Sequence, residues 1–467
     1  MSAIDDFASF DAVDIVAAVQ GGDLTASEVA EASLQRIDQF NPVTRAFTDV
    51  TAERALSDAK QVDKAIAGGA VLPLAGVPFA VKNLFDMDGV VTRAGSKINL
   101  ENQPATSDAF LVSRLCEAGG VLMGGLHMGE YAYDFTGENA HDGNCLNPHD
   151  LTRMTGGSSS GCGAATAAGM VPVSLGSDTN GSIRVPSSFC GLFGLKPTYG
   201  RLSRHGTFPF VGSLDHLGPL ARSARDLALV FDALQGKDPD DPAQADRPPL
   251  ATQDDLRRGA EGLRVAVAGR YFREKAEPEA LAAVDRVAKA LGTAVQIELP
   301  EAARARAAAY VITVTEGANQ HLERITTRPQ DFDPDTRDRF LSGTMVPGVW
   351  VQQAQRFRSW FRTMMQEIFE HVDVILAPAT PFSALPSGTK TITLGGETMP
   401  ARPNIGLFTQ PISFIGLPVV AVPVWGEKAA LPIGVQVIAP AWREDLALRV
   451  AYQLEKDGVC RAPVARL

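Results

Sequence analysis

Cysteine is scarce in this sequence. The five present, Cys116, Cys145, Cys162, Cys190 and Cys460, are odd in number, widely spread and form no CxxC pair. That excludes a disulfide framework and a zinc ribbon and fits a reducing compartment, so a cytoplasmic location is expected. Long apolar runs are missing as well: no stretch approaches the roughly 18 residues needed to span a bilayer. The opening Met-Ser-Ala-Ile-Asp-Asp is acidic where a secretion signal would be basic. Positive charge is in deficit, with 43 Lys and Arg against 54 Asp and Glu and a net charge of −11. No basic block offsets this locally, which counts against bare nucleic acid or a membrane as a partner. The seven histidines do not cluster. His127, His141 and His149 lack metal-ligand spacing and are expected to be hydrogen-bonding or surface residues, so no metal is expected.

What is present is ordinary for a globular chain: 467 residues, 45% apolar and 21% charged, with a mean hydropathy near zero. Residues 1–70 read as a helical preface. Asp11 to Gln20 is closed by Gly21-Gly22, and Thr25-Ala26-Ser27-Glu28 is a capping box opening a periodic stretch to Phe40. From residue 71 strands and helices alternate. Val71–Val81 approaches a buried strand, Ala109–Gly119 is helical, Val121–Met123 is a strand, Gly163–Gly169 is helical, Val171–Leu175 is a strand and Ala224–Leu234 is a helix. The alternation predicts an α/β fold, with helices flanking a sheet. Residues 236–262 are polar and punctuated by Pro and Gly, and read as a long surface connection within one domain spanning 71–467. The strand candidates beyond it, Leu263–Ala268, Val295–Leu299, Val372–Ala377 and Val419–Val424, are expected to extend the same sheet. Residues 300–370 are expected to form a helical cap.

Three segments carry candidate chemistry. Thr155-Gly156-Gly157-Ser158-Ser159-Ser160-Gly161 puts hydroxyls and free amides before an alanine-rich helix, where an anion or oxyanion is favoured; a flexible linker has the same composition. Its Gly157-x-Ser159-x-Gly161 string matches a nucleophile elbow. The buried strand an elbow requires is not expected, because residues 147–153 are polar and contain Pro148. Downstream, Gly176-Ser177-Asp178-Thr179-Asn180-Gly181-Ser182-Ile183-Arg184 places Ser182 at the end of a tight turn whose amides are free to hold an oxyanion. The same run also fits an Asp/Asn/Gly turn closed by an Asp178–Arg184 pair. Upstream, Lys82 ends the apolar run Val77–Val81. It is either buried, with a lowered pKa suited to a general base, or reaches to water from a strand end.

Together these segments resemble the amidase signature family. The matched stretches are Gly76–Lys82, Gly156–Ser159, Gly176–Arg184, Phe189–Gly200, Gly416-Leu417-Pro418 and Pro432–Gln436. The resemblance implies a single large α/β domain with a mixed central sheet and helices on both faces. It also implies a Ser-cisSer-Lys triad with Ser182 as nucleophile, Ser158 as relay and Lys82 as base. Amides of Thr179, Asn180, Gly181 and Ser182 would form the oxyanion hole, and no cofactor is implied. Two positions depart from the common pattern: Asn83 where an aspartate is frequent, and Ser160 where a glycine is usual. Gly406 stands where the glutamine-using amidotransferases of the family carry an aspartate, ten residues before the glycine of Gly-Leu-Pro.

Within the family the chain is most similar to the 1-carboxybiuret and biuret hydrolase branch, on Val81–Asp86, Ala94–Asn99, Asp178–Ser182, Gly200–Arg204 and Arg328–Phe332. This implies an amidohydrolase for a small urea-like or carbamoyl substrate, the alternatives being a broad aryl- or alkyl-amidase, a urethane hydrolase, or one component of an amidotransferase. Tyr131, Asp134 and Arg339 are the expected substrate-binding residues, with core packing as the other reading of the tyrosines and a turn as that of Asp134. A homodimer is expected, and the branch implies a small helical partner similar to the C component of the amidotransferases.

Overall fold

A computed structural model of the chain describes residues 7–426 and 430–467; the acidic first six residues lie outside the described residues. At the N-terminus, helix Ala12–Gly21 ends on Gly22, whose φ of 78° is the left-handed conformation glycine tolerates best. The next helix, Ala26–Thr44, opens on the expected capping box, in which Thr25 and Glu28 bond reciprocally. It runs four residues past Phe40 before Arg45 caps it. Residues 12–13 of the first helix donate their amides to buried Asp226, which ties this preface to helix Ala224–Leu234.

The strands of the described residues are, in chain order, β1 (Phe47–Val50), β2 (Pro78–Lys82), β3 (Val121–Leu126), β4 (Leu146–Asn147), β5 (Asp150–Met154), β6 (Val173–Asp178), β7 (Phe193–Lys196), β8 (His216–Ala221), β9 (Val265–Ala268), β10 (Gln296–Ile297), β11 (Val374–Pro378), β12 (Thr391–Leu394), β13 (Glu397–Pro400), β14 (Val419–Trp425) and β15 (Pro432–Ile438). Eleven form one mixed sheet in the order β1-β3-β2-β6-β8-β7-β14-β15-β11-β9-β10. Its β2, β3 and β6 run parallel, β9, β10 and β11 run parallel, and the remaining pairings are antiparallel. Every residue of β2, β3, β6, β8, β11 and β15 is buried. A strand buried at both odd and even positions is covered on both faces, as a sheet between two helical layers requires.

The late strands do join the sheet, although the candidate at Val295–Leu299 contributes only Gln296–Ile297. Residues 236–262 fold back on the core: Asp238 accepts from Ser203, and Asp241 from Arg204. Residues 302–369 hold the helices Ala302–Gln320, Leu322–Thr327, Pro334–Gly343 and Gly348–Phe369. One expectation is corrected: residues 1–70 are not helical throughout, because β1 (Phe47–Val50) lies among them and pairs with β3 at the edge of the central sheet. A strand, β5, precedes the serine-rich loop and pairs with β4, but it is not the buried strand that a nucleophile elbow requires. It is partly exposed and outside the central sheet, so its polar residues are tolerated, and Pro148 lies in the turn between β4 and β5. Among the described residues no helix is long and apolar enough to cross a membrane.

Candidate active site

Adjacent parallel strands bring distant residues to one edge. Val81 of β2 stands opposite Leu175 of β6, so Lys82 emerges beside the chain leading into the 176–182 turn. Helix Ser160–Ala167 packs against β2, β3 and β6, and delivers the loop before it to the same place. Lys82 Nζ donates to Ser158 Oγ at 2.7 Å and to Ser177 Oγ at 2.8 Å. The Gly157–Ser158 peptide is cis. Lys82, Ser158 and Ser182 are all buried.

Burial governs the charge of this cluster. It lowers the Lys82 pKa to about 7, against weaker opposition from Cys162, Asp215, Asp178 and Asp134. Among the described residues no carboxylate bonds the ammonium, so its partners there are two hydroxyls that either protonation state can satisfy. Asn83, where an aspartate is common, holds local backbone instead: its Oδ1 accepts from the Gly95 amide and its Nδ2 donates to Thr48.

The turn bearing Ser182 is held from beneath by a buried ion pair. Arg184 donates through Nε and Nη2 to the two oxygens of Asp178, both at 2.9 Å, and through Nη1 to Gln436 Oε1 at 2.7 Å. Burial alone would raise Asp178, but the guanidinium holds its carboxyl well below the usual range. The two sequence readings of this run are therefore compatible, since the Asp178–Arg184 pair closes the turn that presents Ser182. Thr409 Oγ1 donates to the Asn180 carbonyl at 2.6 Å. Gly181 has a φ of 143°, and a Cβ on it would fall 2.2 Å from Thr409 Oγ1, so only glycine fits.

A cleft beside Ser182 is lined by Thr179, Asn180, Tyr133, Asp134, Thr313 and Arg339. The Arg339 guanidinium lies 3.4 Å from the centroid of the Tyr133 ring and donates to the Tyr133 carbonyl at 2.7 Å. Asp134 has its carboxylate occupied. It accepts from Thr136 and the Gly137 amide and pairs with Arg402, which makes it the organiser of its own loop. Tyr131 is not part of this lining. It stacks among Phe208, His321, Phe332 and Phe340, and its hydroxyl reaches Asn99. His127, His141 and His149 each hydrogen-bond, to Ser160, Glu130 and the Cys190 carbonyl. A Cβ on Gly406 would sit 2.4 Å from the Phe135 ring, so the place of the amidotransferase aspartate is filled by an aromatic side chain.

Sequence reasoning assigned no role to Ser177, Thr313, Thr409 or Gln436. Only Ser177 carried a signal, being a hydroxyl next to Asp178 on a strand paired with the lysine strand. The other three lie more than 100 residues from the turn, on elements whose packing the sequence does not reveal. A second cavity, about 270 Å³, is bordered by Ser177, Asp215, Arg204 and His205.

Comparison with known proteins agrees with this geometry. The Amidase family model matches residues 28–448. The 1-carboxybiuret hydrolase protein AtzE of Pseudomonas sp. (strain ADP) is 52% identical over 451 residues, covering 96% of this chain and 99% of that protein. The A component of the glutamyl-tRNA(Gln) amidotransferase of Roseiflexus sp. (strain RS-1) is 38% identical, with 96% of each chain covered. A solved structure described as a vestigial protein complex revealing the evolutionary origins of an s-triazine catabolic enzyme superposes with a TM-score of 0.96 at 51% identity, covering 97% of this chain and 100% of that one. A 6-aminohexanoate cyclic dimer hydrolase superposes with a TM-score of 0.85 at 28% identity, covering 96% of each chain. The long mixed sheet, the Lys82–Ser158 contact and these matches lead to one conclusion: the chain belongs to the amidase signature family and is an amide-bond hydrolase.

Proposed function

We propose that this amidase cleaves the C–N bond of a small ureido or carbamoyl substrate such as 1-carboxybiuret through an acyl-enzyme on Ser182. The observation that carries the mechanism is the buried Lys82 hydrogen-bonded to Ser158 Oγ at 2.7 Å, with no carboxylate partner among the described residues. Ser182 Oγ attacks the carbonyl carbon and passes its proton to Ser158, whose own proton moves to neutral Lys82. Backbone amides of the turn Thr179 to Ser182 hold the oxyanion. As the tetrahedral centre collapses, Lys82 returns the proton through Ser158 to the leaving nitrogen. Water then attacks the acyl-enzyme by the same relay, releasing the acid and freeing Ser182.

The substrate class is supported by the 52% identity to a 1-carboxybiuret hydrolase protein and by Thr179, Asn180 and Thr313, which share the Ser182 cleft with the apolar Ala132, Phe135 and Phe210. The Phe135 ring packed against Gly406 stands against glutamine as the substrate. The chain is proposed to act in the cytoplasm, as a homodimer that takes up a small helical partner. The exposed Met345, Val349, Trp350 and Trp360 near and on helix Gly348–Phe369 offer such a partner apolar contact. Ammonia release from biuret, 1-carboxybiuret, an anilide and a carbamate tests the reading, with Ser182→Ala as control. Faster turnover of the anilide or carbamate would make the protein a broad amidase or urethane hydrolase.

A further inference from the structure

The side chain of Asn180 is fixed by a hydrogen-bond chain whose direction can be deduced. Thr313 has one hydroxyl hydrogen, and it goes to the Ala309 carbonyl at 2.8 Å. Thr313 Oγ1 is therefore left only as an acceptor for Asn180, 2.9 Å away, and the amide nitrogen of Asn180 must face it. That turns Asn180 Oδ1 away from Thr313. The oxygen is buried, on a residue only 7% exposed, and has no hydrogen-bond partner among the described residues. The backbone of Asn180 is pinned independently, because Thr409 donates to its carbonyl. Asn180 and Thr313 both line the cleft that holds Ser182, and Asn180 stands two positions before that serine. An acceptor this constrained, buried and unpaired beside a nucleophile is suited to a donor on the substrate.

We propose that Asn180 Oδ1 accepts a hydrogen bond from an N–H on the acyl side of the scissile carbonyl, making Asn180 a specificity-determining residue for ureido over carboxamide substrates. A ureido acyl group carries a nitrogen next to the reacting carbonyl, where an ordinary amide carries carbon. Thr313 acts through Asn180 as a positioning residue. The inference rests on acyl transfer through Ser182 and adds the group that reads the acyl side.

Biuret and malonamide isolate this contact, because malonamide replaces the central N–H of biuret with CH2 and keeps both terminal amides. The quantity to measure is the ratio of kcat/KM for biuret to that for malonamide, by ammonia release. Asn180→Ala should lower that ratio by about 10- to 100-fold relative to wild type, the size of leaving one buried polar group unmatched. Thr313→Val, which keeps the shape of Thr313 but removes the oxygen orienting the amide, should lower it less. Where turnover is slow, calorimetric affinities of both compounds for Ser182→Ala and for Ser182→Ala/Asn180→Ala supply the same ratio. A purely structural Asn180 would depress both substrates together, and an unchanged ratio in rates or affinities overturns the proposal. Wild-type turnover retained in Ser182→Ala would instead overturn the Ser182 mechanism beneath it.

Discussion

Lys82 donates to Ser158 across 2.7 Å in a site where neither side chain reaches solvent. A lysine kept from water and given only hydroxyl partners is more easily neutral than one on the surface. Activity should therefore rise with pH through about 7, as Lys82 loses its proton. A pH profile of kcat/KM checks this, and Lys82→Ala should lose the rise along with at least about 10²-fold in rate. A flat profile across this range in the wild type would count against the neutral-lysine base.

The same burial makes a stability prediction. Because folding lowers the Lys82 pKa from 10.5 to about 7, the unfolded chain binds the extra proton between those values. Stability owed to Lys82 therefore increases as pH rises across that window, and is lowest below about 7. Denaturant unfolding of wild type and Lys82→Met at several pH values should show their difference moving in the wild type's favour from neutral to alkaline pH.

Removing one member of the pair beneath the nucleophile turn leaves a buried charge unmatched. Arg184→Met should cost about 3–5 kcal/mol, and more than the loss of any surface pair such as Lys237–Asp246. Thermal unfolding measures this. Activity in any folded fraction should also drop, because Asp178 holds the Ile183 amide that follows Ser182.

Gly406→Asp should not create a glutaminase. Its Cβ meets the Phe135 ring at 2.4 Å, an overpacking expected to cost about 1–3 kcal/mol. Pairing it with Phe135→Ala should restore part of the lost stability, as read from Tm. Glutamine hydrolysis gained by the single variant would contradict the packing argument.

Arg339 and Asp134 should separate in kinetics. Arg339 spans the cleft wall with one guanidinium hydrogen bond to the Tyr133 carbonyl, so Arg339→Ala should raise KM more than it lowers kcat. Asp134→Ala releases the Thr136–Gly137 loop and Arg402, and should lower Tm together with kcat. Steady-state kinetics with a ureido substrate and a melting curve distinguish the two.

The sequence by itself determined the local parts of this protein. The capping box at Thr25 and Glu28, the apolar run ending in Lys82 and the small-residue turn ahead of Ser182 are set by residues within a few positions of each other, and the motif order carried the family. Tertiary structure decided what each part faces. That Lys82 bonds Ser177 as well as Ser158 follows from the parallel pairing of two strands nearly 100 residues apart. That Asp134 is spent on Arg402 depends on a residue 268 positions away, and Tyr131 packs in an aromatic cluster with Phe208, His321, Phe332 and Phe340, all distant in sequence, which leaves no periodic trace in its own segment. Asn180 shows the division most plainly. Its place in the turn is written locally, but the direction of its amide is fixed by Thr313, 133 residues later, because one hydroxyl has only one proton to give.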